Sequence, residues 1–249
     1  MSGQTCHPVS KRSRGHWPTR PQGAQGTITK LLINAEPAAF DTELNETALI
    51  IIDMQRDFLR AGGFGEALGN DVSLLSAAIE PCAKLLARAR QKEIMIIHTR
   101  EGHRADMRDV PPAKLQRGVP KMRIGDLGPM GRILIRGEQG HDIVPELAPL
   151  PGEPVIDKPG KGAFYATDLH SILQNAQISN LIVCGVTTEV CVHTTVREAN
   201  DRGYRCLVPG DCCGSYFPEF HEVGLRMIKA QGGIFGWVSD SARVLSALS

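Results

Sequence analysis

Two stretches, Ala48-Leu-Ile-Ile-Ile52 and Leu181-Ile-Val-Cys-Gly-Val186, are strand-length and apolar throughout, with no alternation of polar residues. A strand apolar on both faces must be covered on both. That is the signature of a parallel sheet between helical layers, not of a half-exposed antiparallel sheet. Strands are predicted at Thr47–Met54, Ile94–Thr99, Glu153–Lys158, Ser179–Val186, Tyr204–Val208 and Ile234–Val238. Helical patterns lie between them. One opens at the N-cap signal Asn70-Asp71 and runs to Gln91, with Pro81 marking a break or the first turn of its main part. Others follow at Thr167-Asp168 to Asn175, at Val190–Arg202 with Gly203 as its stop, and at Pro218–Gln231, and a short helix ends the chain. Residues 100–152, rich in Gly, Pro and charge, read as a long excursion with short elements. This alternation places the chain in the α/β class, with a central, mostly parallel sheet.

At 249 residues and 42% hydrophobic, the chain can bury one sizeable core. Residues 27–249 read as a single domain. The 28 basic and 27 acidic residues leave a net charge of +1, which gives no argument for nucleic acid or an anionic membrane as partner. No apolar run approaches the roughly 20 residues that span a bilayer. Seven cysteines, an odd number without zinc-type CxxC pairs, argue against a disulfide framework and for a reducing, cytoplasmic setting. Cys184 and Cys206 read as small core residues, and Cys212-Cys213 as packing cysteines or a vicinal redox pair. Residues 1–26 carry Lys11, Arg12, Arg14 and Arg20 and no acid. They read as a disordered basic tail or a transit-like segment, without the apolar core of a secretory signal.

In a parallel sheet, reactive groups collect at the carboxyl ends of the strands. Asp53 closes one predicted strand, Lys158 closes another, and Thr187 to Cys191 follow a third. Cys191 lies where a helix starts, among backbone N–H groups without helical partners and at the positive end of the helix dipole. Both features favour thiolate over thiol. Lowering a thiol pKa from about 8.5 to about 6 gains at most about 30-fold in nucleophile at neutral pH, so ionisation alone is not a mechanism. Donors for a developing oxyanion supply on the order of 10²–10³ more. Taken singly, Cys191 also fits a buried helix cysteine, Asp53 a capping residue and Lys158 a solvated turn lysine.

The blocks Ile51-Ile-Asp53-Met-Gln-Arg-Asp-Phe58, Asp157-Lys158-Pro-Gly-Lys161-Gly-Ala-Phe164 and Gly185-Val-Thr-Thr-Glu-Val-Cys191-Val resemble the isochorismatase-like cysteine hydrolases, in one order over about residues 46–248. The resemblance implies that family's three-layer αβα fold, an Asp53–Lys158–Cys191 triad and a non-proline cis peptide at Val186-Thr187. It also implies an oxyanion site on the N–H groups of Thr187 and Cys191, and a homotetramer. Within the family, His98-Thr-Arg-Glu-Gly-His103-Arg, Gly131-Arg-Ile-Leu-Ile-Arg-Gly and Lys229-Ala-Gln231-Gly-Gly are most similar to the biuret and triuret amidohydrolases, with the ureidoacrylate amidohydrolases next. By that resemblance Phe58 walls the pocket, and Lys161 and Gln231 bind the ureido group. Tyr165 departs from the pattern.

Nicotinamidases of this family hold zinc with a short Asp-x-His pattern. The matching stretch here, Leu59–Leu68, has no histidine, so neither a catalytic metal nor a cofactor is expected. The expected reaction is thioester-forming hydrolysis of a linear ureido C–N bond, biuret or triuret first. The alternative is ureidoacrylate or an N-carbamoyl amino acid, for which Arg100, Arg104 and Arg123 are candidate carboxylate partners. A redox or partner-binding role without turnover is a third reading, and the intact Asp53–Lys158–Cys191 set argues against it.

Overall fold

The computed structural model describes residues 29–118 and 122–249; the basic tail at 1–26 lies outside the described residues. Six strands make up most of the central sheet: β1 (Thr47–Ile52), β2 (Met95–Glu101), β3 (Val155–Lys158), β4 (Asn180–Val186), β5 (Arg205–Pro209) and β6 (Trp237–Ser239). Their spatial order is β6-β5-β4-β1-β2-β3, and each pairing is parallel. The two-residue strand Cys213–Gly214 adds a seventh member in parallel beside the end of β4.

The two apolar runs become the centre. Every residue of β1 and β4 is buried, and they pair from Thr47↔Asn180 to Ile52↔Gly185. Each buried Leu or Ile contributes on the order of 1.5–3 kcal/mol of transfer free energy, so this pair anchors the sheet. Gly185 has φ of 114°, and a Cβ there would collide with the Ile52 carbonyl oxygen. Only glycine lets the two backbones meet here.

Helices α1 (Ile79–Gln91), α2 (Leu169–Asn175), α3 (His193–Asp201), α4 (Pro218–Gly233) and α5 (Ser241–Ala247) flank the sheet, giving the expected three-layer arrangement. The apolar stripe of α1, namely Ile79, Cys82, Leu85, Leu86 and Ala89, is buried at helical spacing. Pro81 falls in its first turn, where its missing N–H costs no helical bond. Cys184, Cys206, Cys212 and Cys213 are all buried free thiols. Among the described residues no helix is long and apolar enough to cross a membrane.

Two local differences from the sequence reading bear on function. First, β2 continues past Thr99 to Glu101, whose register partner is Lys158. Second, α4 does not run straight to its end. Ala230, Gln231 and Gly232 leave helical geometry, with Gln231 in the left-handed region at φ 51°.

Candidate active site

Because the sheet is parallel, β1, β2, β3 and β4 deliver their last residues to one edge. Asp53, next after β1, turns the chain there in the left-handed region (φ 48°), which an aspartate tolerates better than most residues. Its Oδ1 accepts the Thr99 hydroxyl at 2.7 Å, and its Oδ2 lies 2.7 Å from Lys158 Nζ. Lys158 also donates to the Gly160 carbonyl at 3.0 Å. Asp53 and Lys158 are both fully buried.

Cys191 sits in a single π-helical turn, Thr188–Val192, that leads into α3. Such wide turns recur at functional sites. The Val186-Thr187 peptide before it is cis, and the Thr187 carbonyl accepts the N–H groups of Val190 and Val192 at 3.2 Å each. The Cys191 sulfur, an Asp53 oxygen and a Glu101 oxygen all lie within 4.8 Å of one another. This trio has metal-ligating atom types, but ammonium groups already occupy its carboxylates: Lys158 on Asp53, and Lys161 and Lys114 on Glu101.

Glu101 was absent from the sequence-derived set. It is buried, accepts Lys161 at 2.7 Å on Oε1 and 2.9 Å on Oε2, accepts Lys114 at 3.3 Å, and receives the Cys191 thiol at 3.7 Å. Lys114 is tied down in turn by the Pro159 carbonyl at 2.6 Å and by His103 Nε2 at 3.1 Å. The signal in the sequence was a strand two residues longer than its apolar stretch. Period-two alternation from Thr99 brings Glu101 to the face that already holds Asp53's partner.

The electrostatics separate the two carboxylates. Burial raises the Asp53 pKa above the ordinary aspartate value, and Glu101 adds to this against the pull of Lys158. Burial acts on Glu101 in the same direction, but Lys161, Lys158 and Lys114 overcome it and lower its pKa to about 2. Asp53 is therefore the better proton acceptor, and Glu101 a fixed anion. Burial opposes the Lys158 charge, yet Asp53, the Cys191 sulfur and Glu101 raise its pKa above that of a free lysine. Cys191 corrects the sequence reading. Burial, reinforced by Asp53 and Glu101, pushes its pKa well above that of an ordinary thiol despite the helix start and Lys158. The resting group is a thiol, and a neighbouring base has to remove its proton.

The remaining expected residues divide. Thr187 leads directly into the cysteine turn. Phe58, in the short turn Arg56–Leu59, is partly buried against the core. Lys161 reaches the site but is held by Glu101, with its side chain still 41% exposed. Gln231 is not brought there. The α4 kink that carries it is exposed, and the glycines that follow lie against Pro37 (Gly233) and against Cys206 of β5 (Gly236). A helix leaving the carboxyl edge must return to the amino edge to feed the next parallel strand, and Gln231 is near the end of that return. Arg100 is engaged by Asp157 at 2.8 Å and Arg104 by Asp106 at 3.2 Å. His98 is a core residue hydrogen-bonded to Glu153 at 3.0 Å.

Comparison with known proteins agrees with this geometry. Residues 47–243 match the isochorismatase domain. The chain is 34% identical over 235 residues to the ureidoacrylate amidohydrolase RutB of Methylorubrum extorquens, covering 92% of each chain. It is 32% identical to the enzyme of that name from Serratia proteamaculans, over 89% of this chain and 90% of that one. Its fold is similar to the crystal structure of a cysteine hydrolase from Pseudomonas syringae pv. phaseolicola, with a TM-score of 0.72 and 26% identity over 89% of this chain and 98% of that one. The match over most of the chain and the shared fold lead to one conclusion: the protein belongs to the isochorismatase-like cysteine hydrolase family.

Proposed function

We propose that the protein is a cysteine amidohydrolase that cleaves the C–N bond of a small linear ureide carrying a carboxylate, of the ureidoacrylate type. The observation that carries the chemistry is the buried Asp53–Lys158 pair with the buried Cys191 sulfur within 4.8 Å of an Asp53 oxygen. Asp53 takes the thiol proton. The sulfur attacks the ureido carbonyl, and the oxyanion is received by the N–H groups of Thr187 and Cys191. Asp53 returns the proton to the leaving amine as the C–N bond breaks, which leaves an S-carbamoyl enzyme. Water, deprotonated by Asp53, releases carbamate and restores the thiol. Lys158 stays charged throughout and keeps Asp53 oriented.

Charge supports an anionic substrate. Lys114, Lys158 and Lys161 face Asp53 and Glu101, one positive charge in excess, and moving a proton from Cys191 to Asp53 leaves that excess unchanged. Lys161 keeps part of its side chain open to solvent, where it can meet a substrate carboxylate. Biuret, favoured by the sequence resemblance, is uncharged and makes no use of this excess. The relatives named ureidoacrylate amidohydrolase weigh the same way. The test is steady-state hydrolysis of ureidoacrylate, an N-carbamoyl amino acid, biuret and triuret. The carboxylated ureides are expected to show kcat/KM at least about tenfold above biuret, the worth of one charge-assisted contact. Equal or faster turnover of biuret would restore the uncharged ureide as substrate.

A further inference from the structure

We propose that Glu101 is the specificity-determining residue for the carbamoyl group: its Oε2, which faces the Cys191 sulfur, accepts the N–H of an amino group attached to the carbonyl under attack. The proposal deepens the ureide reading and rests on it.

Three observations lead here. The first is that Glu101 opposes the reaction's first step. A fixed anion beside the sulfur holds the proton on Cys191, and a buried carboxylate carries a desolvation cost that its lysine partners must offset. Asp53 already serves as the base, so general base chemistry does not account for a second carboxylate. The second is the unequal use of its oxygens. Oε1 takes both lysines, Lys161 at 2.7 Å and Lys114 at 3.3 Å; Oε2 takes Lys161 at 2.9 Å and, toward the site, only the weak S–H donor at 3.7 Å. A carboxylate accepts about four hydrogen bonds; the lysines fill three of these places, and the fourth, on the sulfur side, is held only by the weak S–H donor. The third is timing. When the thiol proton passes to Asp53, that side of Oε2 loses its donor just as the sulfur bonds to the carbonyl carbon. An NH2 on that carbon lies one bond beyond and refills the position. An alkoxy oxygen would bring a lone pair against the carboxylate there, and a dialkylated nitrogen would bring methyl groups.

Glu101→Gln reads this directly. Oε1 takes both lysines and Oε2 only Lys161, so the amide oxygen takes the Oε1 place and the NH2 turns toward Cys191, replacing an acceptor with a donor. The experiment measures kcat and KM for a ureide and for its derivative dimethylated on the terminal nitrogen, with native protein, Glu101→Gln and Glu101→Asp. The native enzyme is expected to prefer the NH2 compound. Glu101→Gln shrinks that preference roughly 10- to 100-fold, mainly in kcat, because the acceptor is freed only after the proton leaves sulfur. Glu101→Asp, which keeps a carboxylate but draws it back, shrinks it partway, and it serves as the test if the glutamine variant does not fold. An unchanged preference in the folded variants, even with slower turnover, overturns the proposal and leaves the ureide reading standing. Failure of the native enzyme to hydrolyse any ureide removes both.

Discussion

Lys158 Nζ lies 2.7 Å from Asp53 Oδ2 with neither side chain reached by solvent, so each charge depends on the other. Removing one partner leaves an uncompensated buried charge. Lys158→Met is expected to abolish hydrolysis and to cost about 3–5 kcal/mol in urea unfolding. Adding Asp53→Leu to it should recover most of that stability and none of the activity. A single substitution as stable as native protein would mean that the pair is not sealed from water.

Cys191 is the site's second consequence. Alkylation by iodoacetamide, followed on the Cys191 peptide across pH, is expected to have its midpoint above the value of about 8.5 for a free thiol. Lys158 and Lys161 pull the midpoint down, while burial, Asp53 and Glu101 push it up. Glu101→Gln should therefore lower it. A native midpoint near 6 would restore the view that the helix start alone ionises the thiol.

Acid should weaken the fold in two stages. His141 is buried and its pKa is lowered to about 4, first by burial and then by Arg100. The unfolded chain binds that proton more readily, so stability falls as pH drops from about 6.5 toward 4. Glu101 and Glu153 have pKa values lowered to about 2 from 4.5. Their contribution is complete above about pH 4.5 and is lost as pH falls through 2. Urea midpoints at pH 7, 5 and 3 should decline at each step, and a midpoint flat from pH 7 to 5 would contradict the assignment to His141.

At Gly185 the test is steric. Gly185→Ala places a methyl group against the Ile52 carbonyl at a φ of 114°. It should cost about 2 kcal/mol or more and should reduce activity by shifting Asp53, one residue beyond Ile52. Thermal unfolding indistinguishable from native would show that β1 and β4 have slack at their ends.

What could be read from the sequence follows the physics of each segment. The strands β1 and β4 stood out because full burial requires unbroken apolar stretches. Asp53, Lys158 and Cys191 stood out because a parallel sheet sends strand ends to one edge, and the structure brings all three together there. Glu101 was hidden because its strand ends in polar residues that are buried by ion pairing, and hydropathy does not register ion pairing. The thiol's raised proton affinity was hidden for the same reason: the dipole argument is local, whereas the opposing carboxylates come from other strands. The left-handed kink that carries Gln231 could not be read from the sequence, because it is a tertiary feature at the end of α4 and not a property of the local motif.

The central claim is that Cys191 forms a covalent carbamoyl intermediate. Intact-protein mass spectrometry of native enzyme quenched during turnover of a carboxylated ureide tests it most directly, with Cys191→Ser as control. A single carbamoyl adduct, mapped to the Cys191 peptide and missing from the control, is the predicted result. Undiminished turnover by Cys191→Ser, with no adduct on native protein, would contradict it.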